Sequence, residues 1–205
     1  MEKVLCEQND WGSLFTDEDL KKFDAGIFYN SYEKMGAHPR TINGIEGVHF
    51  AVWAPNAKCV SVVGDFNDWN GTSYPMKRSN HHGIYELFIP GLKTGDNYKF
   101  EIETSNGERL LKCDPYAFCS ELRPATASVV WDSSSYVWSD KEWMDKRADS
   151  FGKEKPMSIY EVHLGSWKKQ NDGTQDGFLN YRELAHQLAE YMLYMGYTHV
   201  ELMGI

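Results

Sequence analysis

The first feature of the chain is a change of hydrophobic period. Val48, Phe50 and Val52 alternate with His49, Ala51 and Trp53 until Pro55 and Asn56 break the run, which is the two-residue period of a β-strand. A second strand is predicted over 59–63, ended by Gly64 and Asp65. A third, over 83–89, sets Ile84, Glu86 and Phe88 on one face and Tyr85, Leu87 and Ile89 on the other before Pro90 and Gly91 turn the chain. The clearest amphipathic strand is 97–103, with Tyr98, Phe100 and Ile102 opposite Lys99, Glu101 and Glu103. Asn106 and Gly107 then signal a hairpin, with 108–112 as the returning strand. Before these strands, 15–26 reads as a short helix with Thr16 as its cap, Asp17, Glu18 and Asp19 at its positive end and Gly26 closing it.

Many short strands with regular turn signals predict a sandwich, and about a hundred residues, 32–135, is the size of an immunoglobulin-like domain, without the cysteine and tryptophan spacing of antibody domains. Residues 1–31 form an N-terminal helical extension and 136–155 a polar connector. After Pro156 the period changes again. A strand over 158–164, a helix over 180–195 with Leu184, Leu188, Tyr191 and Met195 on one stripe, and a buried strand over 198–203 follow in order. Asn180 and Glu183 make a capping-box start, and Gly196 sits where a left-handed residue is wanted. Strand, helix and strand make the opening unit of either a (β/α)8 barrel or a doubly wound sheet. Two strands and one helix cannot cover their own apolar faces, so residues 156–205 are expected to need more chain downstream.

Composition narrows the functions. A net charge of −9 with no Lys/Arg-rich run argues against nucleic acid, which needs a concentrated basic face. Aromatic residues reach 14%, with seven Trp and twelve Tyr, a content that suits either stacking on sugars or an aromatic sandwich core. No segment has the form of a leader peptide or the length of a membrane span, so a cytoplasmic protein without membrane contact is expected. Cys6, Cys59, Cys113 and Cys119 lack paired metal spacing and are expected to be reduced thiols. His81 and His82 are neighbours in a turn, expected to be solvated and unable to share a metal. No metal or cofactor is implied.

Seven stretches carry a resemblance: Tyr32-Glu-Lys-Met-Gly-Ala-His38, Val52-Trp-Ala-Pro-Asn-Ala57, Val63-Gly-Asp-Phe-Asn-Asp-Trp-Asn70, Asp114-Pro-Tyr-Ala117, Arg123-Pro-Ala-Thr-Ala-Ser128, Ile159-Tyr-Glu-Val-His-Leu-Gly-Ser-Trp167 and His199-Val-Glu-Leu-Met203. In this order the chain resembles the N-terminal portion of the glycogen (1,4-α-glucan) branching enzymes of the α-amylase superfamily. The resemblance implies a mainly β architecture: an immunoglobulin-like, glycogen-binding-type sandwich, then the first β-α-β of an incomplete (β/α)8 barrel. It implies a retaining enzyme that cuts an α-1,4 bond and reattaches the chain through α-1,6, using two close carboxylates on middle barrel strands. Those strands are absent from this sequence, so no catalytic residue is assigned and the chain alone is expected to be inactive. The family pattern calls for Pro where Gly204 stands.

The partners implied are an α-glucan (glycogen, starch or maltooligosaccharide) and the missing remainder of the barrel. The substrate-binding candidates are Trp69, Lys99, Asn67 and Asn70. Trp69 either stacks on glucose, as in related glycogen-binding modules, or folds back onto the sandwich. Lys99 either lies beside the sugar or is an outward lysine, and the two asparagines are hydroxyl partners or turn formers. A second stacking Trp expected after the Asn-Gly turn is replaced by Glu108, Arg109 and Leu110. Tyr160, His163 and Trp167 resemble residues of the first barrel strand. The alternatives are a stand-alone glucan-binding or regulatory module, and a module that only packs on a partner domain.

Overall fold

The computed structural model describes residues 11–79, 82–134, 136–150, 154–170 and 177–204. Cys6 and His81 lie outside the described residues. The chain forms two compact units, Met1–Val137 and Trp138–Ile205.

The first unit is a two-sheet sandwich. One antiparallel sheet has the order β1 (Gly36–Ile42), β2 (Ile45–Trp53), β5 (Ile84–Pro90) and β4 (Lys77–Ser79). The other has β3 (Ala57–Gly64), β6 (Asn97–Thr104), β9 (Ser128–Val129) and β8 (Cys119–Ser120), with β7 (Arg109–Lys112) also on β6. Because β3 pairs with β6 from Thr104 to Tyr98, β7 and β9 share its opposite edge. The free edge of β3 is closed by the chain after it: Val62 N donates to Tyr74 O at 3.0 Å and Met76 N to Val60 O at 2.8 Å.

The alternation read from the sequence sets the inner faces. Val48, Phe50, Val52, Tyr85 and Ile89 of one sheet meet Val60, Val62, Tyr98 and Phe100 of the other. Phe50 and Tyr98 stack edge-on at 5.0 Å, as do Tyr98 and Phe100 at 5.8 Å. Tyr98 is fully buried and its hydroxyl donates to Asp114 Oδ2 at 2.6 Å. Burial pushes the Asp114 carboxyl up against the hydrogen bonds it receives, and burial first, then the Asp114 charge, pushes the Tyr98 hydroxyl up. Asp114 of the Asp114-Pro-Tyr-Ala motif is thus part of the core.

The outer face of the first sheet is buried as well. His49, Ala51, Ile84, Glu86 and Phe88 have almost no exposure, because the N-terminal segment lies over them. Phe15 and Met35 form a cluster with Ala51 and Ile84, joined by Leu20, Phe23 and Phe28, and Trp11 meets Phe88 edge-on at 4.9 Å. Buried Glu86 anchors this cover: Ser13 Oγ donates to it at 2.6 Å and Leu14 N at 3.0 Å. Burial works against ionisation of Glu86, but the close approach of the His49 ring and the hydrogen bonds from the N-terminal segment prevail and hold its carboxyl below the usual range. His82 is not solvated as expected; its ring pairs with Asp24 at 2.7 Å, tying the helix to the turn before β5.

Helix α1 (Asp17–Asp24) carries both predicted ends. Thr16 and Asp19 make a reciprocal capping box. Gly26 (φ +68°) lets Gly26 N reach Phe23 O and Ile27 N reach Lys22 O, the paired C-terminal closure that only a left-handed residue permits. The predicted hairpin also forms, with Thr104 N bonded to Glu108 O at 2.9 Å. Cys59, Cys113 and Cys119 are free thiols.

In the second unit β10 (Ile159–His163) and β11 (His199–Met203) pair in parallel, with α3 (Leu164–Trp167) and α4 (Tyr181–Met195) between them in sequence. Asn180 caps α4 with Glu183, and Gly196 ends it in the left-handed region. Leu184, Leu188 and Val162 are buried, and Tyr191 packs on Tyr160 and Trp167. Met195, expected on the buried stripe, is half exposed, and β11, expected to be buried, exposes Val200, Leu202 and Met203. A two-stranded sheet with one long helix has too few layers to cover both faces. The connector holds an unpredicted helix, α2 (Lys141–Ser150), whose Lys141–Asp145 and Glu142–Lys146 pairs support it locally. No described helix is long and apolar enough to cross a membrane.

Burial raises the pKa of Asp19, but hydrogen bonds from Lys34 and Thr16 outweigh it and hold the carboxyl down to about 2. A depressed folded-state pKa contributes stability above the unfolded value of 3.8, lost as pH falls toward 2. Asp19→Ala is therefore expected to lower unfolding stability at pH 7 by about 1–2 kcal/mol. In urea titrations across pH, the gap between variant and parent should close between about pH 4 and pH 2.

Candidate functional site

The outward face of the second sheet is the polar one. On β6 it carries Lys99, Glu101 and Glu103, opposite Val63, Ser61 and Cys59 of β3. Glu101 pairs with Arg109 at 3.2 Å and Glu103 with Lys58 at 2.5 Å. The hydrogen bond from Lys58 holds the Glu103 carboxyl below its usual range. Leu111, across from Glu101 on β7, is half exposed on this face.

The turn after β3 stands at one end of the face. A single 3-10 turn (Asp65–Asn67) leads into two successive left-handed residues, Asp68 (φ 52°) and Trp69 (φ 57°). Asp tolerates that region, whereas a bulky aromatic occupies it rarely and at a cost of about 1–2 kcal/mol. Asn67 holds the turn from inside: its Oδ1 accepts from Gly64 N at 2.9 Å, and its Nδ2 donates to Val62 O and Asn70 O, each at 3.1 Å. Trp69 N closes the loop onto Gly64 O at 2.9 Å. Gly71 lies so close to β6 that a Cβ there would fall 1.9 Å from Glu101 Oε1, so this position admits no side chain without displacing Glu101.

Phe66, not Trp69, is the residue of this turn that packs onto the core, 5.8 Å from Tyr74. The Trp69 side chain is half-buried, with Nε1 donating to Asp65 Oδ1 at 2.9 Å. Lys99 Nζ lies 6.0 Å from the Trp69 ring centre and donates to Thr126 Oγ1 at 2.7 Å. The structure thus brings Trp69 and Lys99 together. Asn70 Oδ1 accepts from Thr72 N at 3.0 Å and Thr72 Oγ1 at 2.8 Å, and among the described residues its Nδ2 has no partner. Asn67 is spent within the turn on three hydrogen bonds.

Sequence reasoning passed over four neighbours. Asp65, Asn97, Glu121 and Thr126 link the turn, β6 and the 121–127 loop through hydrogen bonds. Asp65 and Thr126 fall inside the quoted motifs, while nothing in the sequence marks Glu121, since its partners are up to 24 positions away. In the second unit Trp167 Nε1 donates to the Tyr160 hydroxyl at 3.1 Å, and His163 Nδ1 lies 2.9 Å from Ser166 Oγ.

Residues 34–117 match the family model of carbohydrate-binding module 48, the isoamylase N-terminal domain. The chain is 52% identical over 93% of its length to the 1,4-alpha-glucan branching enzyme GlgB of Protochlamydia amoebophila, of which it covers 26%. It is 50% identical to the enzymes of that name from Cellvibrio japonicus, over 91% of this chain and 25% of that one, and from Desulfitobacterium hafniense, over 94% and 30%. The chain therefore spans between a quarter and a third of the length of these curated relatives. Among solved structures it superposes on the GBS pullulanase SAP, determined in complex with maltotetraose, with a TM-score of 0.61 and 19% identity over 83% of this chain and 24% of that one. A Salmonella typhimurium protein assigned as an alpha amylase gives 0.56 and 23% identity over 83% and 24%. These two likenesses establish the fold.

Because Asn67 ties β3 to its own turn, Asn67→Ala is expected to cost about 1–3 kcal/mol of stability in urea unfolding, against less than about 0.5 kcal/mol for exposed Thr72→Ala.

Proposed function

We propose that this chain, which belongs by sequence to the 1,4-alpha-glucan branching enzymes, is the glucan-docking front part of such an enzyme. The α-1,4 cleavage and α-1,6 transfer would then be carried out by carboxylates outside this chain. The sandwich would hold an α-glucan (glycogen, starch or a maltooligosaccharide) on the outward face of its second sheet. The observation that carries the reading is the Trp69 ring, outside the core and half-buried on this face with Lys99 over it. An indole offers a flat apolar face to the apolar side of a glucose ring. Lys99 Nζ and Asn70 Nδ2 would supply donors to hydroxyl groups, and the acidic balance of the chain suits a neutral ligand.

The second unit would be the first turn of the catalytic barrel. Its parallel strand pair exposes Ile159, Val200, Leu202 and Met203, and α4 exposes Leu193 and Tyr194 at more than four-fifths. Such apolar surface is what the remaining strands and helices of a barrel would cover. The single platform, with Leu111 where a second aromatic could serve, points to modest affinity, a docking contact rather than a tight receptor.

On immobilised amylose the chain is expected to be retarded relative to an inert protein of its size, and Trp69→Ala to lose that retardation by at least about tenfold in apparent affinity, since a stacked ring is the main contact. No retardation of the parent chain, or full retardation of the variant, would overturn the reading.

A further inference from the structure

We infer that Asp65 is the positioning residue of the Trp69 platform, acting as one link of a polar chain that runs from Trp69 through Asp65 and Asn97 to Glu121. The inference rests on the reading of this face as a glucan platform. Closure of the turn fixes the backbone of Trp69, since its N–H reaches Gly64 O at 2.9 Å, but leaves two side-chain torsions to be set. An indole has a single donor, and that donor goes to Asp65 Oδ1 at 2.9 Å. Asp65 is exposed, yet its second oxygen is also engaged: Oδ2 accepts from Asn97 Nδ2 at 3.1 Å. The same Nδ2 reaches Glu121 Oε1 at 3.2 Å, and Glu121 Oε2 accepts from Ala127 N at 2.8 Å.

The chain closes on itself. Thr126, next to Ala127, receives Lys99 Nζ at 2.7 Å, and Lys99 returns to the Trp69 ring at 6.0 Å. The ring edge is thereby held by Asp65 and one ring face is approached by Lys99, on a backbone whose left-handed φ is rarely populated by bulky residues and persists only when its surroundings fix it. A ring ordered in advance spares a ligand the entropy of ordering it, which for one side chain corresponds to about three- to tenfold in affinity.

The test uses the full chain with maltoheptaose as probe and two readouts: affinity by calorimetry, and the indole Nε1–H resonance of Trp69, identified by its loss in Trp69→Phe. Asp65→Ala is expected to move that resonance and speed its exchange with solvent, and to weaken binding by about three- to tenfold. Asp65→Asn keeps an acceptor for the indole but turns an amide toward the Asn97 amide. It should restore most of the resonance position and part of the affinity. If Asp65→Ala does not fold, Asp65→Asn carries both readouts, with an intermediate shift expected. An unchanged indole resonance in both variants overturns the positioning role, as does unchanged affinity when Trp69→Ala abolishes binding. Intact binding by Trp69→Ala would instead defeat the glucan reading, and the resonance would still decide whether Asp65 holds the ring.

Discussion

The architecture of the first unit depends on a sheet that is apolar on both faces. In β2 and β5 neither set of alternating residues can be left in water: Val48, Phe50, Val52, Tyr85 and Ile89 point one way, and Ala51, Ile84 and Phe88 the other. Each large side chain of this kind gains about 1.5–3 kcal/mol from burial, so the sheet must be covered twice. The second sheet supplies one cover and the N-terminal segment the other. The second sheet keeps a solvent face, and that face is the one whose residues alternate with charge. The place available for a ligand follows from which sheet was covered.

Covering a sheet with an irregular segment raises a problem of polarity, and the solution explains the buried charge. Ser13 and Leu14 N both direct donors at Glu86, while His49 Nε2 approaches it at 3.3 Å without hydrogen-bond alignment and Nδ1 has no partner. The carboxylate is satisfied and the histidine is not, so the anchor is a compromise between packing and hydrogen bonding. The Trp69 turn shows the opposite arrangement. There the backbone takes the unfavourable conformation, Asn67 and Asp65 satisfy the polar groups around it, and Gly71 leaves room for Glu101.

Much of this was legible in the sequence because it depends on local rules. The period of two in 97–103 gave the inward set Tyr98 and Phe100, the Thr16 and Asn180 caps and the Gly26 and Gly196 ends stand at the true helix termini, and Asn106 and Gly107 do turn a hairpin. Trp69 and Lys99 were each singled out through the resemblance, and the structure sets Lys99 Nζ 6.0 Å from the Trp69 ring centre. What stayed hidden depends on contacts distant in sequence. Nothing local in 11–35 says that it covers β2 and β5, nothing in Asn67 distinguishes a turn brace from a sugar contact, and nothing around Glu121 points to Asn97. Helix α2 was missed because it carries exposed ion pairs rather than an apolar stripe. The exposure of β11 was missed because an apolar strand reads as buried whether or not its covering layers are at hand.

The central claim is that the outward face of the second sheet is where this chain meets glucan. The most direct measurement is a titration of isotope-labelled chain with maltoheptaose, following backbone and indole amide resonances. The account predicts shifts concentrated at residues 64–72, 97–101 and 121–127, with the largest change at the Trp69 indole and none along β2 or β5. Shifts centred on the N-terminal segment and the first sheet, or no saturable change at any residue, would contradict it.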